Sequence, residues 1–221
     1  MVLLRAPLET YLSSLVERPA SETVANPYRG SVGHVRLDNL RRYLAAVADW
    51  GSTVALVGEA PGYRGCAVTG VPLTSRALLA SDVGRWGLFA AAGFVNDDRL
   101  GAWQTEVTAT SVWRLAPHLF SAPPLLANAF PFHPHPPGQH QANRAPVAAE
   151  LAEGAVYLGR FLRCFPSVRV IAVGRRAEQA LGIAGVRPVA VVRHPAHGGG
   201  TAFAVGLRRA AADLEAPGGA G

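Results

Sequence analysis

The sequence contains no lysine. All 21 of its basic residues are arginine, set against 15 acidic ones, for a formal net charge of +6 and an isoelectric point near 10.1. A basic surplus suits a polyanionic partner such as nucleic acid. Arginine in place of lysine, in a chain rich in Ala, Gly, Val and Pro, also fits GC-rich coding, so charge alone leaves both readings open. Only two cysteines occur, Cys66 and Cys164. Two distant thiols give no disulfide framework and suit a reducing cytoplasm. No apolar run reaches the ~18 residues that a membrane span needs. Met1 to Glu17 mixes apolar and charged residues without an h-region or cleavage site, so no signal peptide is expected. Apolar residues, by contrast, make up 49% of the 221 positions, enough for one substantial core.

Hydrophobic spacing divides the chain into elements. Residues 1–18 suggest a short amphipathic helix, and 19–33, rich in Pro, Gly, Ser and Asn, a loop. Val35, Leu37, Leu40, Leu44 and Val47 form a helical stripe that Gly51 ends. Strand-like runs recur at 53–57, 107–113, 124–130, 168–173 and 188–193. Thr74 is placed to cap a helix through Leu79, with another to about Phe94. Residues 146–164, 175–182 and 201–214 read as helices. Strands alternating with helices predict an α/β fold, a three-layer α/β/α sandwich with a mostly parallel sheet. The expected organisation is an N-terminal helix and loop (1–33) packed on a domain at 34–215, then a disordered tail at 216–221. Pro131 to Pro146 reads as a long loop of the kind that often carries function.

The most informative segment is Gly-Glu-Ala-Pro-Gly at 58–62, directly after the β-branched run 53–57. A strand opening into a stiff turn puts Glu59 at the carboxyl end of a sheet, where α/β proteins bind ligands. Further along come Gly70-Val-Pro72, Asn128 after an apolar run, and Asn143-Arg-Ala-Pro146 with Glu150. Gly174-Arg-Arg-Ala177 and His194-Pro195 complete the series. In this order the motifs resemble the uracil-DNA glycosylase superfamily, nearest to its family-four branch, over roughly residues 54–210.

The resemblance implies the uracil-DNA glycosylase fold and hydrolysis of an N-glycosidic bond in DNA, with no cofactor. Glu59 and His194 would be catalytic. A carboxylate can orient or deprotonate water and favours an oxocarbenium-like sugar. His194, held extended by the following proline, would donate to the developing charge on the leaving base. The base would lie among Gly58, Ala60, Gly62, Tyr63, Leu73 and Asn128, the Asn128 amide offering one donor and one acceptor. DNA would meet Arg64, Arg144, Arg193, His197, Gly198 and Gly199. The expected partner is DNA, single-stranded or mismatched, bound by a cytoplasmic monomer with no membrane contact.

Three departures from the family pattern bear on substrate. Gly62 stands where uracil-specific members carry a Tyr that blocks thymine, with Tyr63 one residue on. Leu73 replaces the Phe that stacks on uracil. The loop His194-Pro-Ala-His-Gly-Gly-Gly200 lacks the wedging Leu, which favours substrates whose target base is already unpaired. Family-four enzymes hold an iron–sulfur cluster on four cysteines; two cysteines without CxxC spacing predict that it is absent, leaving Cys66 as a small loop residue and Cys164 as a core thiol. His133, His135 and His140 invite a metal reading, yet no acid or Cys accompanies them, and no metal is expected. Two alternatives stay open: a member that binds nucleic acid without turnover, and a hydrolase of another N-glycoside.

Overall fold

The structure, a computed structural model, describes residues 2–81, 86–102 and 104–216. Strand β2 (Val54–Gly58) is buried along its whole length, as the near-continuous apolar run requires of a strand covered on both faces. It is central to a four-stranded parallel sheet of order β3-β2-β5-β6, with β3 at Leu125–Asn128, β5 at Arg169–Val173 and β6 at Ala190–Val192. Gly58 pairs with Asn128, and Val57 with both Ala127 and Ala172, which brings the three carboxyl ends level. The chain leaves β2 toward β3 on one side, then returns past it to β5 and β6 on the other. The connections therefore diverge between β2 and β5, and a crevice opens there beside Glu59 and Gly174.

Helices cover both faces. Helix α7 (Ala148–Arg163) packs on α8 (Arg175–Ile183) and on α1 (Val2–Glu17), while α6 (Val107–Leu119) packs on α9 (Gly200–Glu215). Helix α2 (Gly33–Asp49) buries Val35, Leu40, Leu44 and Val47 of the expected stripe, with Leu37 partly buried against the core. The N-terminal helix belongs to the same core. Tyr11, Leu12 and Leu15 are buried in it, Tyr11 tilts against Phe161 at 5.2 Å, and Arg18 pairs with Glu153 at 2.7 Å. A two-residue strand β1 (Val24–Ala25) pairs antiparallel with β4 (His133–Pro134), fastening the first loop to the long one. No helix among the described residues is long and apolar enough to cross a membrane.

Three expectations are corrected. Residues 107–113 are not a strand but the first half of α6. Glu106 accepts from the amides of Thr108 and Ala109, and the buried side chains Ala109, Val112, Trp113 and Ala116 follow a helical period that outweighs the β-branched composition. Thr74 does not cap the next helix. That helix, α4, spans Arg76–Leu79 after Ser75, and the Thr74 hydroxyl bonds the Val71 carbonyl at 2.7 Å instead. Cys66 is not a loop residue; it begins the short helix α3 (Cys66–Thr69) and is buried. The helix expected to reach Phe94 is α5 (Leu88–Ala91), with 82–85 outside the described residues, as is the tail from 217 onward.

Candidate active site

Glu59 and His194 come together in the structure. Both line a groove of about 410 Å³ at the crevice between β2 and β5, with Gly174, Arg175, Arg176, Glu178 and Arg193. Gly174 is what lets them meet. Its φ is +93°, and a Cβ there would stand 3.2 Å from the His194 Cβ. The Glu59 carboxylate has no hydrogen-bond partner among the described residues. Burial pushes its pKa above the ordinary carboxylate value, against the pull of Arg176 and His197.

The His194 ring has a defined tautomer. The Ala196 amide donates to Nδ1 at 3.2 Å, so the proton of the neutral imidazole sits on Nε2, which is left as a donor. Burial, then His197 and Arg193, hold its pKa below the usual histidine value. The turn behind it is tightly built. Gly198 has φ +75° and His197 φ +53°. Gly199 packs so closely that a Cβ would stand 2.0 Å from the His194 carbonyl oxygen.

On its other side His194 borders a second cavity of about 180 Å³. This is below the ~300–1,000 Å³ of pockets for drug-sized ligands and suits a single heterocycle. Ala60, Pro61 and Gly62 from the first turn form part of its wall. Cys66 and Leu73, Glu106 and Thr108, Pro134, Asn143 and Arg144, and Ala196 and His197 form the rest. Leu73 holds a φ of +50°, which costs a residue with a Cβ roughly 1–2 kcal/mol. Trp113 Nε1–H donates to its carbonyl at 3.0 Å, and bonds among Thr69, Val71 and Thr74 fix the turn. Asn128 lies behind this wall, 7% exposed, with Nδ2 3.7 Å from Cys66 Sγ. Gly58 makes room for it: a Cβ there would meet Leu73 Cδ2 at 3.0 Å and Asn128 Oδ1 at 3.1 Å. At Gly62 a Cβ would meet only Asn143, at 3.6 Å, so this position has space for a side chain.

The long loop supplies the opposite wall. Asn143 Oδ1 accepts from the Tyr63 amide at 3.0 Å, while the Arg64 guanidinium lies over the Tyr63 ring at 5.2 Å. His133 ties the two loops together, with Nδ1 2.7 Å from the Pro61 carbonyl oxygen and Nε2 3.1 Å from that of His140. Burial holds its pKa below the ordinary histidine value, although the two carbonyls pull it upward. A histidine with a depressed folded-state pKa contributes stability above its unfolded value of ~6.5, which is lost as pH falls through the folded value. The melting temperature is therefore expected to drop between pH 7 and 5, and to drop less in His133→Gln, as a pH series of thermal melts will show.

Arg144 is corrected from a DNA contact to a structural strap. Its guanidinium grips Glu150 at 2.6 and 2.7 Å and also donates to the carbonyls of Thr23, His135 and Ala145. Burial alone would raise the Glu150 carboxyl, but Arg144 and the Val147 amide hold it below its ordinary value. Arg64, Arg175, Arg176 and Arg193 make no ion pair with a described carboxylate. The three histidines of this loop use their ring nitrogens on carbonyls and on one another, and the described residues contain no group of three or more metal-ligand side chains suitably placed. Cys66 is on the cavity wall, whereas Cys164 lies at the amino-terminal edge of the sheet beside Ser52 and Leu125. With two cysteines that far apart, the chain has no ligand set for a four-thiolate cluster.

The structure is similar to the crystal structure of SMUG2 from Pedobacter heparinus, with a TM-score of 0.60 at 11% sequence identity over 96% of each chain. The chain has the uracil-DNA glycosylase fold. No protein-family model and no curated protein matches it. Within the glycosylase fold, Glu106, Asn143 and Arg176 reach the site without having been expected there. Arg176 and Asn143 sit inside motifs already visible in the sequence. Glu106 stands one residue ahead of the segment that reads as a strand.

Proposed function

We propose that the protein is a monofunctional DNA glycosylase that hydrolyses the N-glycosidic bond of uracil or a related deaminated or damaged base. The observation that carries this reading is His194, shared between a cavity for one heterocycle and a groove that holds Glu59. A nucleotide with its base in the cavity places its sugar at that boundary. Glu59 takes a proton from water as the oxygen bonds to the anomeric carbon. The carbon–nitrogen bond breaks with its electron pair on the base, and His194 Nε2–H donates to the charge that develops there. The raised pKa of Glu59 suits a base that must accept a proton. SMUG2, which the fold resembles, stands in the uracil-DNA glycosylase superfamily.

The partner is DNA, met by a cytoplasmic monomer. Arg175, Arg176 and Arg193 rim the groove and face phosphate. In the loop at 196–200, small residues and His197 replace an apolar wedge that would open a duplex, so single-stranded or mismatched substrates are favoured. Arg176→Ala and Arg193→Ala should each reduce the log–log salt slope of oligonucleotide binding by about 1. Arg144→Ala should lower the melting temperature and leave that slope in place. Oligonucleotides with one uracil, assayed for alkali-labile cleavage, test the reading. Cleavage at the uracil supports it; binding without release of free base indicates a non-catalytic relative instead.

A further inference from the structure

The polar groups on the cavity wall form a pattern of their own. Glu106 is a carboxylate there, in addition to its place at the start of α6. Its Oε1 accepts from Thr108 N–H at 2.9 Å and its Oε2 from Ala109 N–H at 2.6 Å. A carboxylate has about four lone-pair directions, so roughly two stay open. The carboxylate is felt at the floor of the cavity: with burial, its charge helps to push the Cys66 thiol up to about 12. The carboxylate is half-buried, and its open acceptor directions are available to a donor from whatever fills the space.

Asn143 is the complement. Its amide orientation is fixed, because Oδ1 accepts from the Tyr63 backbone N–H at 3.0 Å. Nδ2 is therefore the free end. It is the side-chain atom nearest to the Gly62 Cβ position, at 3.6 Å, and has no partner among the described residues. Asn128 lacks such a constraint, since its contact is a thiol, which is both a weak donor and a weak acceptor. His194 Nε2–H adds a second donor on the same wall.

An acceptor accompanied by two donors matches one kind of heterocycle edge: a ring N–H flanked by carbonyls. We propose that Glu106 and Asn143 are specificity-determining residues, and that the cavity selects bases bearing this imide edge. Glu106 accepts from the ring N–H, and the Asn143 NH₂ donates to a flanking carbonyl. The proposal rests on the glycosylase reading for its substrate, but it can be tested by binding alone. Bases without the imide N–H offer the half-buried carboxylate no donor and bind more weakly.

The test uses free uracil and 3-methyluracil, which differ at the imide nitrogen, with affinities measured by ligand-observed NMR on the full chain. Wild type is expected to prefer uracil at least tenfold. Glu106→Gln should bring that ratio to near one. Asn143→Asp should weaken uracil at least tenfold while its remaining oxygen still accepts from Tyr63, so this variant leaves the α6 cap untouched and separates recognition from helix stability. A preference for uracil that persists in both variants, or equal binding of the two probes by wild type, overturns the proposal. If uracil is discriminated and both variants behave as expected, yet no uracil-containing oligonucleotide is cleaved, the imide site stands and the glycosylase reading fails.

Discussion

Replacing His194 with alanine should lower the single-turnover rate of base release by roughly two to three decades, the effect of removing one donor from a developing anion. The Ala196 amide on Nδ1 leaves Nε2–H as the donor, and the depressed pKa keeps the ring neutral near pH 7. Glu59→Gln should cost a similar factor, since glutamine cannot take the proton from water. The pH dependence has a definite sign. Glu59 acts as its carboxylate, and burial raises its pKa, so the rate should fall on acidification through a value above the ordinary ~4.3 of glutamate. A carboxyl with a raised folded-state pKa stabilises the fold at low pH and loses that contribution as pH rises through the folded value. Glu59→Gln is therefore expected to melt above wild type at pH 7 while being far slower. Single-turnover kinetics and thermal melts on the same samples check both halves.

The second large effect is expected at a glycine. A Cβ on Gly199 would stand 2.0 Å from the His194 carbonyl oxygen and 3.1 Å from that of Ala196. Both are backbone atoms, so the turn itself must move. It carries the Ala196 amide that orients His194. A displacement of about 1 Å at a catalytic group costs on the order of a hundredfold in rate, which is the expected fall for Gly199→Ala with the far-UV circular dichroism retained. Gly198→Ala is the contrast. Gly198 has φ +75° but nothing within 4 Å of its Cβ position, so the cost is confined to ~1–2 kcal/mol of backbone strain. The rate of Gly198→Ala should stay well above that of Gly199→Ala.

The sheet and the turn after β2 were readable because each signal was local. A β-branched run followed by Gly-Glu-Ala-Pro-Gly is strand and loop in ten residues. The meeting of Glu59 with His194 was accessible only through the order of motifs, since 135 positions separate them in the numbering. Val107 to Trp113 misled because its composition is that of a strand. The spacing of Ala109, Val112, Trp113 and Ala116, with the Glu106 carboxylate ahead, was the helical signal within it. Arg144 read as a phosphate contact from its charge. Its partner Glu150 stood six residues on, where the strap joins the loop to the first turn of α7. The wall formed by Glu106 and Asn143 was not readable at all. One is a helix cap, the other a loop residue turned by a backbone amide, and only the folded chain sets them on one cavity.

The most direct measurement is a single turnover on a single-stranded, uracil-containing oligonucleotide in ¹⁸O-labelled water, with both products analysed by mass spectrometry. Hydrolysis by a Glu59-directed water predicts free, unlabelled uracil and one ¹⁸O at the anomeric carbon of the abasic sugar, with both signals lost in His194→Ala and Glu59→Gln. Wild-type protein that binds the oligonucleotide and releases no base, or variants that release it at the wild-type rate, would contradict the account.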